Sequence, residues 1–180
     1  MKTKLQLATL GGGCFWCIEA IYGQIKGVKK VVSGYSGGRA PGRPTYREVR
    51  SGLTGDAEVV QVTFDPDIIT YKDIMTVFMT SHDPTTLNQQ GADKGTQYRS
   101  VIFYHNDAQK KTANELIKDM VHTFRKPIVT EILPSPIFHK AEDYHQEYYK
   151  NNPSQMYCKV VITPKLLKLR KMHPNKIKQQ

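Results

Sequence analysis

Two cysteines stand three residues apart behind three glycines in the stretch GGGCFWCIEA, which begins at Gly11. Sulfur becomes a strong nucleophile only as the thiolate, and unpaired backbone N–H groups at a helix N-terminus favour that anion. The apolar spacing of Phe15, Ile18, Ile21, Tyr22 and Ile25 predicts a helix over 15–25, which sets Cys14 at its start and lowers its pKa. The glycines let the chain turn sharply and leave the sulfur approachable. Phe15 and Trp16 add flat apolar surface beside it, suited to a substrate with an apolar group next to its electrophilic atom.

Other uses of these sulfurs are weaker. A buried cysteine often serves as a small hydrophobe, but the glycines and the helix start argue for reactivity. Zinc takes about four ligands, and the chain offers only one further cysteine, the distant Cys158, so no metal is expected. A thioredoxin-like Cys-x-x-Cys also lies between strand and helix. Here the intervening Phe15 and Trp16 would cap a disulfide that has to meet many protein partners. Glu142-x-x-His145 has the spacing of a di-iron ligand pair, but no second Glu-x-x-His exists, and a surface helix fits better. His82 could act as a base for Cys14, though its neighbours Asp83 and Pro84 read as a turn.

The elements that must position these residues alternate. Strands are expected at 4–10, 28–35, 58–64, 98–104, 128–133 and 157–163. Helices are expected at 15–25, 71–81, 107–124 (capped by Asn106) and 140–149. SGGRAPGRPT is a Gly/Pro-rich loop without the Lys-Ser/Thr ending of a phosphate loop. With no repeat and no long linker, the pattern gives a single α+β domain over 1–180 with a mixed sheet and a basic C-terminal tail from about residue 164.

With 180 residues, 39% of them hydrophobic, the chain can bury an ordinary core. Its charge of +10 looks at first like a nucleic-acid signature, yet seven Lys or Arg and no acid fall in 158–180, leaving about +3 for the rest. A short basic end of this kind reads as a solvated surface or frayed terminus, so no nucleic-acid partner is expected. The first residues are too polar for a signal peptide and no run is long enough for a membrane span. An odd cysteine count favours a reducing compartment, and a cytoplasmic monomer is expected.

Six segments in order, GGGCFW, SGYSGG, PTYREVRSGLTGDAEVVQVTFDP, HDPTT, GTQYRS and EDYHQEYY, resemble peptide methionine sulfoxide reductases of the A type. The resemblance runs from about Leu7 to Tyr157. It implies a two-layer scaffold with a ferredoxin-like core and reduction of the S epimer of methionine sulfoxide, free or in oxidised proteins, as a repair activity. It makes Cys14 the nucleophile and Glu58 the acid that protonates the departing oxygen. By the same likeness Tyr46 and Tyr98 hydrogen-bond that oxygen, Phe15 and Trp16 receive the S-methyl group, and Asp93 holds polar atoms of the bound residue. Attack leaves a sulfenic acid on Cys14, to be condensed with a second thiol and recycled by thioredoxin, with no bound cofactor.

Here the chain departs from the commonest family pattern, carrying Cys17 where glycine follows CFW and a single tail cysteine, Cys158. Cys158 aligns with the first tail cysteine and is the leading resolving candidate. Cys17, on the same helix face as Cys14, is the second; direct reduction by an external thiol is the third. The alternative function, a general thiol-disulfide oxidoreductase using Cys14 and Cys17, would have no use for Glu58, Tyr46 or Tyr98.

Overall fold

The computed structural model describes residues 4–179. In chain order it contains β1 (Gln6–Gly11), α1 (Phe15–Gly23), β2 (Val28–Ser36), α2 (Tyr46–Arg50), β3 (Ala57–Phe64) and α3 (Tyr71–Ser81). There follow the short β4 (Gln89–Gln90) and β5 (Asp93–Lys94), β6 (Val101–Tyr104), α4 (Asp107–Met120), β7 (Glu131–Pro134), β8 (Phe138–Lys140), α5 (Tyr148–Asn151) and α6 (Thr163–Met172). Six strands form one sheet in the order β7-β6-β1-β3-β2-β8, antiparallel except for the β6–β7 pair, while β4 and β5 form a separate hairpin. The expected α+β domain with a mixed sheet is what forms. Among the described residues no helix is long and apolar enough to cross a membrane.

Alternation on β3 explains the core. Val60, Val62 and Phe64 face the helices, where they join Ala8 and Leu10 of β1 and Ile18, Ile21, Ile74 and Phe78 of α1 and α3. Ala57 and Val59 point the other way and pack with Val101, Phe103 and Phe138. Since side chains two apart share a face, Glu58 falls in step with Val60 and points into the helix layer. One register position thus sends a carboxyl group into the core.

Several expected boundaries differ for identifiable reasons. The strand expected at 98–104 begins at Val101, because Thr96–Tyr98 is a single 3-10 turn. The helix expected at 107–124 ends at Met120, and the strand at 128–133 is Glu131–Pro134. In place of a helix over 140–149, Lys140 ends β8, Asp143–His145 forms a 3-10 turn and α5 starts at Tyr148. Side chains there bind backbone elsewhere instead of facing water: Gln146 bridges the Ser33 N–H and C=O, and Glu142 takes the Tyr46 N–H.

The largest correction concerns the C-terminal end. The expected strand at 157–163 is a π-helical turn, Cys158–Ile162, running into α6. Cys158, Ile162, Leu166 and Leu169 are buried at spacings of four, four and three, a helical stripe, whereas Val160 is exposed. The basic segment does not fray: Lys168 and Lys171 sit on the outer face of a packed helix, and Lys178 N–H donates to the Gln24 carbonyl at 2.8 Å. Truncating Leu169 to Ala should therefore lower stability by about 2–4 kcal/mol in urea unfolding. An unchanged midpoint would mean that α6 contributes nothing to the core.

Candidate active site

The three glycines carry β1 into α1 through a space that larger residues could not share. A Cβ at Gly11 would lie 2.9 Å from the Glu58 carbonyl oxygen, and Gly13 adopts φ +88° with its N–H donated to the Tyr98 carbonyl at 3.1 Å. Cys14 then occupies the N-cap of α1, 9% exposed. From β3, Glu58 reaches the same helix start, where an oxygen of its carboxyl group accepts the Phe15 N–H at 3.2 Å. Only 1% of Glu58 is exposed. Burial pushes its pKa up to about 8, the Phe15 N–H pulling the other way and the charges of Asp93 and Cys17 adding to the rise. At neutral pH this carboxyl holds a proton beside a cysteine.

The sulfurs do not behave as the helix start alone suggests. Burial raises the Cys14 pKa well above the ordinary thiol value, and its hydrogen bond to Cys17 and the nearby Glu58 add to that; the Trp16 N–H opposes them and loses. Cys17 moves down to about 7, chiefly because it receives the Cys14 hydrogen bond, with Lys165 and Tyr157 helping against its own burial. Cys158 is fully buried in the π-helical turn, where desolvation raises its pKa.

Around the sulfurs lies an aromatic wall. Trp16, half-buried, stacks on Tyr148 with ring centres 3.6 Å apart and planes within 6°. Phe15, fully buried, lies beneath the surface between Tyr35 and His145. Tyr46, at the start of α2, packs edge-on against His145 at 4.5 Å, and burial lifts its pKa to about 12. Tyr98 is raised as well, by burial first and then by Glu58 and Tyr46. Neither phenol hydroxyl has a protein hydrogen-bond partner among the described residues. Asp93 accepts the Tyr157 hydroxyl at 2.8 Å, and the same hydroxyl lies 3.7 Å from Cys17 Sγ.

Two histidines exchange their expected importance. His82 Nδ1 donates to the Phe78 carbonyl at 2.7 Å, so Nε2 accepts from Ser100 Oγ at 2.7 Å, and burial drops its pKa to about 4. With both nitrogens engaged behind Gly12, it is no base for Cys14. His145, read from sequence as part of a surface helix, is fully buried and accepts the Trp16 indole N–H on Nδ1 at 3.0 Å. That bond fixes the tautomer with its proton on Nε2 and holds the indole in place. A possible sequence signal was Trp16 itself, since a buried indole N–H needs an acceptor. Among the described residues no cluster of three or more His, Cys, Asp or Glu could hold a metal.

The pH dependence of stability gives a direct test of the buried acid. An unfolded chain releases the Glu58 proton near the ordinary 4.5, whereas the folded one keeps it to about 8, so stability falls as pH rises through that window. Glu58→Gln should remove this component, gaining on wild type steadily from the lower to the upper limit in thermal melts. Parallel curves for the two proteins would show that Glu58 ionises normally.

Comparison with known proteins gives a consistent result. The family model described as Peptide methionine sulfoxide reductase matches residues 6–177. A Peptide methionine sulfoxide reductase MsrA from Saccharolobus solfataricus is 52% identical over 174 residues, covering 97% of this chain and 98% of its own. A namesake from Deinococcus radiodurans is 53% identical, covering 95% and 84%. Among solved structures, reduced Mxr1 from Saccharomyces cerevisiae aligns with a TM-score of 0.80 at 38% identity, over 86% of this chain and 90% of that one. Mxr1 in complex with Trx2 aligns at 0.56 and 28% identity, over 82% and 89%.

Proposed function

Because the chain belongs to the A-type peptide methionine sulfoxide reductase family and reduces methionine sulfoxide, we propose that it does so through Cys14, with Glu58 as acid and Cys17 as resolving thiol. The observation that carries this reading is the buried, protonated carboxyl of Glu58 hydrogen-bonded to the first N–H of the helix that Cys14 caps. A sulfoxide oxygen is a poor leaving group unless protonated, and here an acid matched to neutral pH stands at the nucleophile.

The geometry supports a definite sequence of events. The Cys14 thiol proton passes to Cys17, three residues along α1 and lower in pKa, as the substrate docks on Trp16. Cys14 attacks the sulfoxide sulfur while Glu58 gives its proton to the oxygen, and the phenols of Tyr46 and Tyr98 donate hydrogen bonds to that oxygen. The S–S bond so formed then breaks with its electron pair returning to the substrate sulfur while the oxygen moves from that sulfur to Cys14, so methionine leaves and Cys14 is left as a sulfenic acid. We assign the S epimer as substrate, with its methyl group against Trp16. The stack on Tyr148 and the bond to His145 keep that surface rigid before substrate arrives. Asp93 has its carboxylate on Tyr157, so its role in holding substrate is shared with one toward Cys17.

Resolution through Cys17 is favoured over Cys158, the leading candidate from alignment. Cys17 follows Cys14 in the first turn of α1, its N–H donating to the Cys14 carbonyl at 3.1 Å, and has the lower pKa, while Cys158 is fully buried in a turn that would have to unwind. The complex of yeast Mxr1 with Trx2 supports a thioredoxin as reductant of the resulting disulfide. A general thiol-disulfide oxidoreductase is not favoured, since it would leave Glu58 and the two phenols without a purpose.

Mixing reduced protein with excess racemic methionine sulfoxide, without reductant, tests the scheme by methionine formed and thiols lost. Wild type and Cys158→Ser should each consume only the S epimer, form one methionine per chain and lose two thiols. Cys17→Ser, lacking the base for Cys14, should form methionine more slowly and stop at a sulfenic acid, and Cys14→Ser should form none. Two thiols lost by Cys17→Ser would transfer the resolving role to Cys158.

A further inference from the structure

Cys17 is 1% exposed, yet on the reading above it gains a proton in the first step and has to release one before it can attack. The groups that face it decide where that proton goes. Cys14 is occupied by the oxygen it has just received. Glu58 is needed to protonate the departing hydroxyl group. Lys165 of α6 lines the same narrow internal space as Cys17, but an ammonium ion only favours the thiolate and accepts nothing. Cys158 is buried and its own pKa is raised. There remains the Tyr157 hydroxyl, 3.7 Å from Cys17 Sγ, which donates to Asp93 Oδ2 at 2.8 Å.

A phenol carries one proton, and here it stands between two acceptors. With that proton directed to Asp93, the Tyr157 oxygen has a lone pair for the Cys17 S–H, so the three groups form a continuous donor chain from buried sulfur to carboxylate. Asp93 is partly exposed and can hand the proton to water. We propose that Tyr157 is a further catalytic residue, accepting the Cys17 proton as it passes its own to Asp93, which acts as the positioning residue and outlet of the relay. This rests on the assignment of Cys17 as resolving thiol.

The step balances without an external oxidant. The Cys17 S–H bond breaks, its proton goes to Tyr157 oxygen, and the phenol proton moves to Asp93. The sulfur electron pair forms a bond to Cys14 sulfur, and the S–O bond of the sulfenic acid breaks with its pair going to oxygen. That oxygen takes a proton from Glu58, reprotonated between the two steps, and leaves as water. Cys17 is oxidised and the Cys14 sulfenic sulfur reduced, both ending as disulfide. Afterwards the Tyr157 proton faces the former thiolate side and Asp93 returns its proton to solvent.

The test follows the second step alone in the full chain. The sulfenic acid is formed in one arm by methionine sulfoxide and in a second by hydrogen peroxide, which needs no sulfoxide chemistry, and disulfide formation is timed across pH. Tyr157→Phe should slow the disulfide step about 100-fold at neutral pH. Its rate should climb at higher pH than in wild type. Asp93→Asn should behave likewise, and Asp93→Glu should restore part of the rate. Wild-type rates and an unshifted pH dependence in Tyr157→Phe would overturn the relay. If Cys17→Ser still loses two thiols at the wild-type rate, the resolving assignment fails and the relay with it. Failure of sulfoxide alone to produce the sulfenic acid would count against the sulfoxide chemistry, while the peroxide arm still decides the relay.

Discussion

A carboxyl group withdrawn from water at the start of a helix is the constraint on which this structure turns. Burying an ionised carboxylate without a cation is costly, and the protein avoids the cost by keeping Glu58 protonated at neutral pH. Its single backbone donor, the Phe15 N–H, is too weak to hold the anion there. Everything that places this group is backbone: the register of β3 sends position 58 inward, and glycine at 11 lets β1 approach the Glu58 carbonyl. The same glycine turn delivers Cys14 to the helix end that the carboxyl occupies. The proposed acid and nucleophile are thus set by one strand-to-helix junction.

The second consequence of burial is how charge is shared between two sulfurs. A helix N-terminus stabilises a thiolate, but desolvation at Cys14 outweighs it and raises that pKa, while the pKa of Cys17, near Lys165, is lowered. On the proposed scheme Cys14 stays a thiol until substrate arrives, and Cys17 serves first as its base and then as the resolving thiol. The helix α6, with its basic outer face, contributes Lys165 to this balance. A tail with no assignable role in the sequence becomes part of the electrostatics of the site.

The sequence carried the strands and long helices through their periodicity, and its ordered motifs singled out Cys14, Glu58, Tyr46 and Tyr98 as candidates. Three features were out of its reach. The run from Tyr157 to Thr163 looks like a strand because Val160, Val161 and Ile162 are β-branched neighbours; its helical stripe appears only when Cys158 is counted with Ile162, Leu166 and Leu169. His145 was misread because the helix expected around it is broken by side chains that bind distant backbone. The ordering of the two thiol pKa values depends on burial and on a sulfur-to-sulfur hydrogen bond, neither of which spacing alone can supply.

The account stands most directly on the rate of the first chemical step against pH. An acid that must be protonated to act loses its effect as pH rises through its pKa, so single-turnover methionine formation by wild type should fall as pH passes about 8. Glu58→Gln should be slower by about 100-fold at neutral pH and should lack that decline. A Glu58→Gln protein that forms methionine at the wild-type rate, with the wild-type pH profile, would contradict the claim that the buried carboxyl supplies the proton.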